Sequence, residues 1–202
     1  MGALGITFDE TMAGPFALGE REPSAGARKG ETEGTRLEMH ARVTIADLDA
    51  FVADPDHSGQ LAGVIDFNPL GQNLRADTGV FNLFSPAETP DARRMVYELA
   101  FHHHGRPFYL AGHKIVFHDR PFDLWTDVTT LFTTLHAGCN ASGAIIGSGV
   151  LTLAMVELVK LMSTMRVVGA DDTTGKAQAL VRFGRFFMGE LWDRYGPGSK
   201  PD

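Results

Sequence analysis

Residues 36–45 read RLEMHARVTI, and apolar and polar side chains alternate strictly along them. The apolar positions are Leu37, Met39, Ala41, Val43 and Ile45. Successive side chains of a β-strand point to opposite faces, so a period of two predicts a strand with one buried face. The same alternation returns at 94–102, where the apolar positions are Met95, Tyr97, Leu99 and Phe101. These two segments set the fold class, because they predict a largely β protein.

Working outward from them, the pattern predicts further strands at 61–67, 73–84, 108–111, 114–118, 127–135 and 143–153. Turn residues such as Asn68-Pro69, Gly105 and Gly112 separate several of these segments. Helical periodicity appears only at 46–53, 154–165 and 176–195. About eight short strands joined by tight turns predict a mainly antiparallel β-barrel or strongly curved sheet with two or three helices, lipocalin-like in character. Such a barrel is filled by side chains or holds one small ligand.

The chain of 202 residues is predicted to form a single domain, 1–202. Residues 19–34 are charged and rich in glycine, which predicts an exposed loop. Residues 176–195 carry an apolar stripe with steps of three or four, which predicts a C-terminal helix. Residues 1–18 are apolar enough to pack against the core or to close one end of a barrel.

The composition is that of an ordinary soluble globular protein, with 44% hydrophobic and 21% charged residues. A net charge of −7 disfavours nucleic acid as a partner, since phosphate binding requires a positive surface. The longest weakly polar run, 144–159, is interrupted by polar residues, so no membrane span is predicted. A single cysteine and the lack of a signal-peptide pattern favour the cytoplasm. A homodimer is compatible with this composition.

Metal, nucleophile and cofactor motifs are weak. His102-His103-His104 precedes a turn at Gly105, and neighbouring strand residues face opposite ways, so we interpret it as an exposed hairpin end and predict no metal site. Cys139 and Ser148 lack the partners or spacing of a catalytic nucleophile. The run GAIIGSG at 143–149 has the wrong spacing for a dinucleotide loop, so no cofactor is expected.

Three ionisable residues are candidate acid–base groups: Asp127, Lys114 and Glu10. A lysine facing an apolar lumen would have its pKa lowered and could act as a base or an oxyanion partner. If Ile115 points inward, however, Lys114 lies on the wet face. Asp127 is either a general acid–base or a loop anchor. Glu10 is either a carboxylate at the mouth of the barrel or a helix-capping or surface residue.

The candidate substrate-binding residues are Tyr97, Tyr109, Trp125 and Phe81. Tyrosines combine an apolar ring with a hydroxyl that could orient a ligand carbonyl or hydroxyl. The alternative for the aromatic residues is ordinary core or rim packing. The predicted inward residues are Met, Phe, Leu, Tyr and Val, so any ligand is expected to be a largely apolar small molecule.

Five segments carry a family resemblance: FDETM (8–12), GVFNLF (79–84), YLAGHKIVF (109–117), DLWTDVTTL (123–131) and VRFGRFFMGELWDRY (181–195). Together they resemble a domain of large bacterial proteins that accompanies a flavin-dependent alcohol oxidase module of the cholesterol-oxidase (GMC) type, sometimes with an α/β-hydrolase. The resemblance implies an association with sterol-like or other lipophilic substrates. It does not imply that this chain itself binds flavin.

These features favour a small cofactor-independent barrel enzyme, of the isomerase or cyclase type, acting on a sterol-, terpene- or polyketide-like molecule. Two alternatives remain open: a non-catalytic barrel that binds the same class of ligand, and an accessory domain of a flavin-dependent oxidoreductase system. An enzyme requires ionisable residues that converge inside the barrel. An accessory domain instead requires a filled barrel and an exposed apolar patch.

Overall fold

The computed structural model describes residues 3–89, 92–117, 128–170 and 173–195, and within them it contains nine strands and four helices. The strands are β1 (Gly5–Leu18), β2 (Arg36–Ile45), β3 (Ser58–Phe67), β4 (Gly71–Pro86), β5 (Ala92–His103), β6 (Arg106–Phe117), β7 (Thr130–Ala137), β8 (Ala144–Thr152) and β9 (Arg166–Val168). The helices are α1 (Pro23–Glu33), α2 (Leu48–Ala53), α3 (Met155–Thr164) and α4 (Thr173–Tyr195).

Strands β1 to β8 form a closed antiparallel barrel in which each strand pairs with the next along the chain. Strand β1 closes it, because it pairs with β2 from Ile6 to Pro15 and with β8 from Ala13 to Leu18. The short strand β9 pairs with the first residues of β1. The predicted mainly β barrel with a few helices is therefore confirmed.

The alternation of the sequence becomes the two faces of the barrel wall. All five apolar residues of β2 are buried, and the apolar residues of β5 at 95, 97, 99 and 101 are buried with them. Strand β6 runs unbroken through Gly112, where a turn was predicted. A Cβ at Gly112 would lie 2.8 Å from the side chain of Leu131, so the glycine here makes room for a neighbouring strand.

Residues 23–33 form helix α1, so the prediction of an exposed loop at 19–34 is wrong for most of that segment. Glu22 caps the helix by accepting a hydrogen bond from the Ala25 amide, and Pro23 occupies the first turn. The helix packs against the outer face of β1 and β8 through its glycines: a Cβ at Gly26 would lie 2.1 Å from the Ser148 carbonyl oxygen. The glycines that predicted a loop in this segment instead allow α1 to pack closely against the barrel.

The remaining helices gather at the end of the barrel where β1 begins and β8 finishes. Helix α4 contains the predicted 176–195 helix and buries Ala179 and Phe183 against the core. Phe183 contacts Phe8 of β1 at 6.3 Å between ring centroids. Helix α3 corresponds to the predicted helix at 154–165, and it exposes Met155 and Met162 to solvent. Among the described residues, no helix is both long and apolar enough to cross a membrane.

Candidate functional site

Three ionisable side chains meet inside the barrel, each carried by a different strand. Glu10 lies on β1, Tyr97 on β5 and Lys114 on β6. In each strand the residue has the parity of the buried apolar positions, so the pleat directs it into the lumen. The three residues are 3%, 3% and 1% exposed. We call them the Glu10–Tyr97–Lys114 cluster.

Hydrogen bonds join the cluster across the lumen. The Tyr97 hydroxyl donates to Glu10 Oε2 at 3.0 Å. Lys114 Nζ donates to Glu10 Oε1 and to the Tyr97 hydroxyl, both at 3.5 Å, and to the Val128 carbonyl oxygen at 3.0 Å. Lys114 Nζ also lies 4.7 Å from the centroid of the Tyr97 ring. A lysine ammonium has three N–H donors, and three acceptors surround it here.

Burial alters the acid–base properties of two members. Removal from water lowers the pKa of Lys114, and the neighbouring Glu10 carboxylate offsets part of that shift. Burial raises the pKa of Tyr97 well above its ordinary value, and the negative charge and hydrogen bond of Glu10 raise it further. The amine is therefore easier to deprotonate, and the phenol harder, than in water. A carboxylate, a phenol and an amine in contact can pass a proton among themselves.

Stability alone does not explain such a cluster. Moving an ion pair out of water costs several kcal/mol per ion, and attraction compensates fully only when the geometry is close and every donor is well paired. Here two of the three Lys114 contacts are 3.5 Å long. Apolar residues of similar volume are often as stable or more stable at such positions. Perturbed ionisable groups that converge in this way mark candidate functional sites.

Around the cluster the lumen is filled by apolar side chains. Phe81 packs edge-on against the Tyr97 ring at 5.2 Å and against Phe8 at 6.4 Å. Phe16 and Phe67 pack together in the same buried cluster. In this structure the polar groups are therefore shielded from solvent, and a ligand reaches them only if side chains or a helix move.

The wall beside Glu10 is completed by a helix instead of a strand. Strand β8 pairs with β1 only from Ala13 onward, and β9 pairs with it only up to Thr7. Between these points the end of α3 packs on β1, where the Thr164 hydroxyl accepts from the Asp9 amide at 3.0 Å and contacts the Asp9 carbonyl oxygen. At Asp9, the residue before Glu10, the Thr164 hydroxyl thus makes the hydrogen bonds that the backbone of a neighbouring strand would otherwise make. We call this place the α3 seam.

The other predicted site residues are distributed differently. Phe81 is buried in the lumen, where it packs against Tyr97 and Phe8. Tyr109 is not: it lies half-buried on the outer face of β6, where its hydroxyl donates to Glu98 Oε2 at 2.5 Å. Its placement as a lining residue of the lumen is wrong, because it has the opposite parity to Lys114. Asp127 and Trp125 lie outside the described residues.

Two concave surfaces lie on the outside of the barrel, and sequence reasoning missed both. A cleft of about 670 Å³ crosses the outer faces of β5 and β6 and is lined by Arg94, Glu98 and His113 among others. Loss of solvent around the His113 ring lowers its pKa, and the Arg94 charge lowers it further. A second cleft of about 440 Å³ contains the Asp9–Arg42 ion pair.

The histidines and the cysteine in the described part of the chain do not gather into a metal site. No group of three or more His, Cys, Asp or Glu residues is arranged there to hold a metal ion. His102 and His104 are exposed at the β5–β6 hairpin, as predicted. Cys139 is free and exposed. Searches of protein-family models, curated proteins and solved structures find no significant match to this chain.

Proposed function

We propose that this barrel is a cofactor-independent acid–base enzyme, of the isomerase or cyclase type, which acts on a lipophilic sterol-, terpene- or polyketide-like molecule. The observation that supports the proposal is the convergence of Glu10, Tyr97 and Lys114 at 3.0–3.5 Å within an apolar lumen. An apolar surround selects apolar substrates, and a few polar groups within it supply orientation and chemistry.

The three groups have complementary roles in a proton shift. The Glu10 carboxylate removes a proton from a substrate carbon, and the Tyr97 hydroxyl or the Lys114 ammonium donates a hydrogen bond to the oxygen on which negative charge develops. Returning the proton to a different carbon completes an isomerisation. The close wall of apolar side chains would hold a flexible substrate near its reactive conformation.

Access in this proposal runs through the α3 seam. There the barrel wall depends on α3 instead of a complete strand ladder, and the exposed residues Met155, Val156 and Met162 give that helix an apolar outer surface. Within the described part of the chain, α3 is hydrogen-bonded to β1 through the Thr164 hydroxyl, which makes two bonds to the Asp9 backbone, and movement of the helix breaks these. A lipophilic molecule would be attracted to that surface and reach Glu10 by displacing the helix.

Hydrogen–deuterium exchange into ketones tests the chemistry without knowledge of the natural substrate. The protein is incubated in D2O with progesterone, carvone or 1-tetralone, and deuterium next to the carbonyl is measured by mass spectrometry. We expect the wild type to exceed the buffer rate with at least one ketone. Since general acid–base catalysis contributes roughly 10²–10⁴-fold, Glu10→Gln should lower the enzymatic rate by about that factor.

Glu98→Gln is the matched control, because Glu98 is a hydrogen-bonded carboxylate on the outer face of the same barrel. It should leave the exchange rate unchanged. The proposal fails if no ketone exchanges above the buffer rate, or if Glu98→Gln loses as much as Glu10→Gln. Tryptophan fluorescence measures ketone binding independently of exchange. Binding of a ketone without deuterium exchange would instead support a non-catalytic binding barrel.

A second candidate function, an accessory domain of a flavin-dependent oxidoreductase system, is favoured by a different observation. Large apolar side chains are exposed on α3 and α4, namely Met155, Val156, Met162, Leu180 and Val181. Such surface is typical of interaction sites. Size-exclusion chromatography with a purified flavin-dependent alcohol oxidase of the cholesterol-oxidase type should then show a complex that Met155→Glu/Met162→Glu abolishes. Separate elution of the two proteins would exclude this function for that oxidase.

A further inference from the structure

We infer that Lys114 is a nucleophile that forms an imine with a lipophilic aldehyde or ketone bound beside Glu10 and Tyr97. The inference rests on the proposed function and narrows its substrate class to carbonyl compounds. It comes from the geometry of the cluster: the amine is enclosed by apolar side chains, and both an acid and a base lie within 3.5 Å of it.

A buried lysine suits this chemistry because the neutral amine, not the ammonium, attacks a carbonyl. Desolvation in an apolar pocket is one of the established ways in which proteins generate a reactive lysine amine. Transfer of a proton from Lys114 to the adjacent Glu10 converts a buried ion pair into a neutral pair, which removes the cost of two desolvated charges. The apolar lumen therefore makes the reactive neutral amine of Lys114 easier to reach from the resting ion pair than it is for a lysine in water.

The neighbours of Lys114 supply the proton transfers that imine formation needs. The amine adds to the carbonyl carbon, and the former carbonyl oxygen takes a proton from the Tyr97 hydroxyl. The nitrogen returns a proton to the Tyr97 phenolate. Glu10, which holds the proton taken from Lys114, protonates the carbinolamine hydroxyl, which leaves as water as the protonated C=N bond forms and Glu10 becomes a carboxylate again. Glu10 can then remove a proton from the carbon next to the protonated imine. Addition of water reverses the sequence and frees the amine.

The other described lysines lack this environment. Lys29 is bound to the Leu18 carbonyl oxygen and lies near two glutamates at the surface. Lys160 pairs with Glu157 and is 62% exposed, and Lys176 is exposed. In water a lysine has a pKa near about 10.4, so at pH 6 only about one exposed lysine in 10⁴ is a free amine. Mildly acidic conditions therefore separate Lys114 from the surface lysines.

Reductive trapping of the full chain tests the inference. The wild type is incubated with citronellal, a terpenoid aldehyde, and sodium cyanoborohydride at pH 6 and at pH 9, and modified lysines are located by peptide mass mapping. Reduction of the imine leaves a secondary amine heavier by the mass of the aldehyde less one oxygen atom. We expect at least tenfold more labelling at Lys114 than at Lys29 or Lys160 at pH 6, and none with the alcohol citronellol.

A second variant separates chemistry from access. Tyr97→Phe keeps the ring but removes the proton donor, so it should slow labelling of Lys114 about tenfold while leaving Lys160 unchanged. Equal labelling rates in Tyr97→Phe and wild type would contradict the assigned proton transfer. Labelling of the exposed lysines at pH 9 without labelling of Lys114 at either pH overturns the inference.

The imine and the proposed function fail in distinguishable ways. Deuterium exchange that depends on Glu10, without trapping at Lys114, would leave the acid–base enzyme standing and remove the imine. Trapping at Lys114 without exchange would indicate a covalent carbonyl carrier and would overturn the enzyme. Absence of both results would overturn both proposals.

Discussion

Substitution of Lys114 by methionine should expose the energetics of the buried cluster. Methionine retains most of the volume of the lysine stem, so little cavity forms, but Glu10 loses the cation 3.5 Å from its Oε1 atom. Both side chains are 1% exposed, which leaves water little opportunity to compensate. Removal of one partner from a buried pair costs about 3–5 kcal/mol. For a chain of this size, each kcal/mol corresponds to about 2–4 °C in Tm, so Tm should fall by about 10 °C.

Urea unfolding at pH 7 with linear extrapolation measures this change in the free energy of unfolding. Lys160→Met is the matched control: Lys160 forms an exposed ion pair with Glu157 within α3. Exposed pairs of this kind contribute about 0.3–0.5 kcal/mol, so Lys160→Met should change the free energy of unfolding by no more than about that amount.

A triple variant separates lost charge pairing from lost packing. Glu10→Met/Tyr97→Phe/Lys114→Met removes every charged or hydroxyl member of the cluster while approximately conserving its volume. It should regain most of the stability lost in Lys114→Met and could exceed the wild type, because buried ion pairs are often replaced by apolar residues without loss. A Lys114→Met protein as stable as the wild type, or a triple variant no more stable than Lys114→Met, would refute the electrostatic account.

Three further predictions concern other parts of the molecule. The pKa values of Tyr97 and Tyr109 are raised in the folded state, mainly by burial. The stability that this provides is therefore present below about pH 10 and is lost as pH rises above it. Absorbance at 295 nm should show at most one of the three tyrosines ionised in the folded protein at pH 11. Gly26→Ala should weaken the packing of α1 on the barrel, because its Cβ would lie 2.1 Å from a β8 carbonyl oxygen. Gly184→Ala has no atom within 4 Å of its Cβ, so it should stabilise α4 by about 1 kcal/mol. Urea unfolding measures both changes. Phe183→Ala should cost about 3–5 kcal/mol and accelerate amide exchange in α4, since this residue anchors the helix to the core. Unchanged exchange in α4 would contradict that anchoring role.

The strands were predictable because their signal is local. An alternation such as that of Leu37 to Ile45 needs no knowledge of the rest of the chain, since burial of one face imposes it residue by residue. The same count carried through 106–117 would have placed Lys114 on the buried face with Leu110 and Val116. The turn assumed at Gly112 interrupted that count and left the direction of Lys114 open.

The roles of Gly112 and Glu10 could not be predicted from the sequence, because they depend on contacts between distant segments. Gly112 is small because Leu131 of the neighbouring strand occupies the adjacent space. Glu10 shows the parity of its buried neighbours in β1, but its partners are 87 and 104 residues away. Only closure of the barrel brings those partners within hydrogen-bonding distance. Composition therefore favoured a surface role for Glu10 where the fold gives it an interior one.

Helix α1 shows a different limit of composition. A charged segment with several glycines resembles a loop, yet the sequence Glu22-Pro23 carries a recognisable helix start. The glycines at positions 26 and 30 lie on the face toward β8 and β1, where any larger side chain would collide with backbone atoms. The helix is thus stabilised by close docking that no property of residues 19–34 alone reveals.

The closure of the barrel by β1 has a consequence for how the chain folds. The strand synthesised first has one neighbour, β2, within the next 30 residues or so, but its other main neighbour, β8, ends at Thr152. Until that residue has been made, one edge of β1 presents unpaired backbone groups, which favours pairing with other chains. Contacts of such long sequence separation also slow folding. We therefore expect barrel closure to be the late, rate-limiting event, and partly synthesised chains to be the species most prone to aggregate.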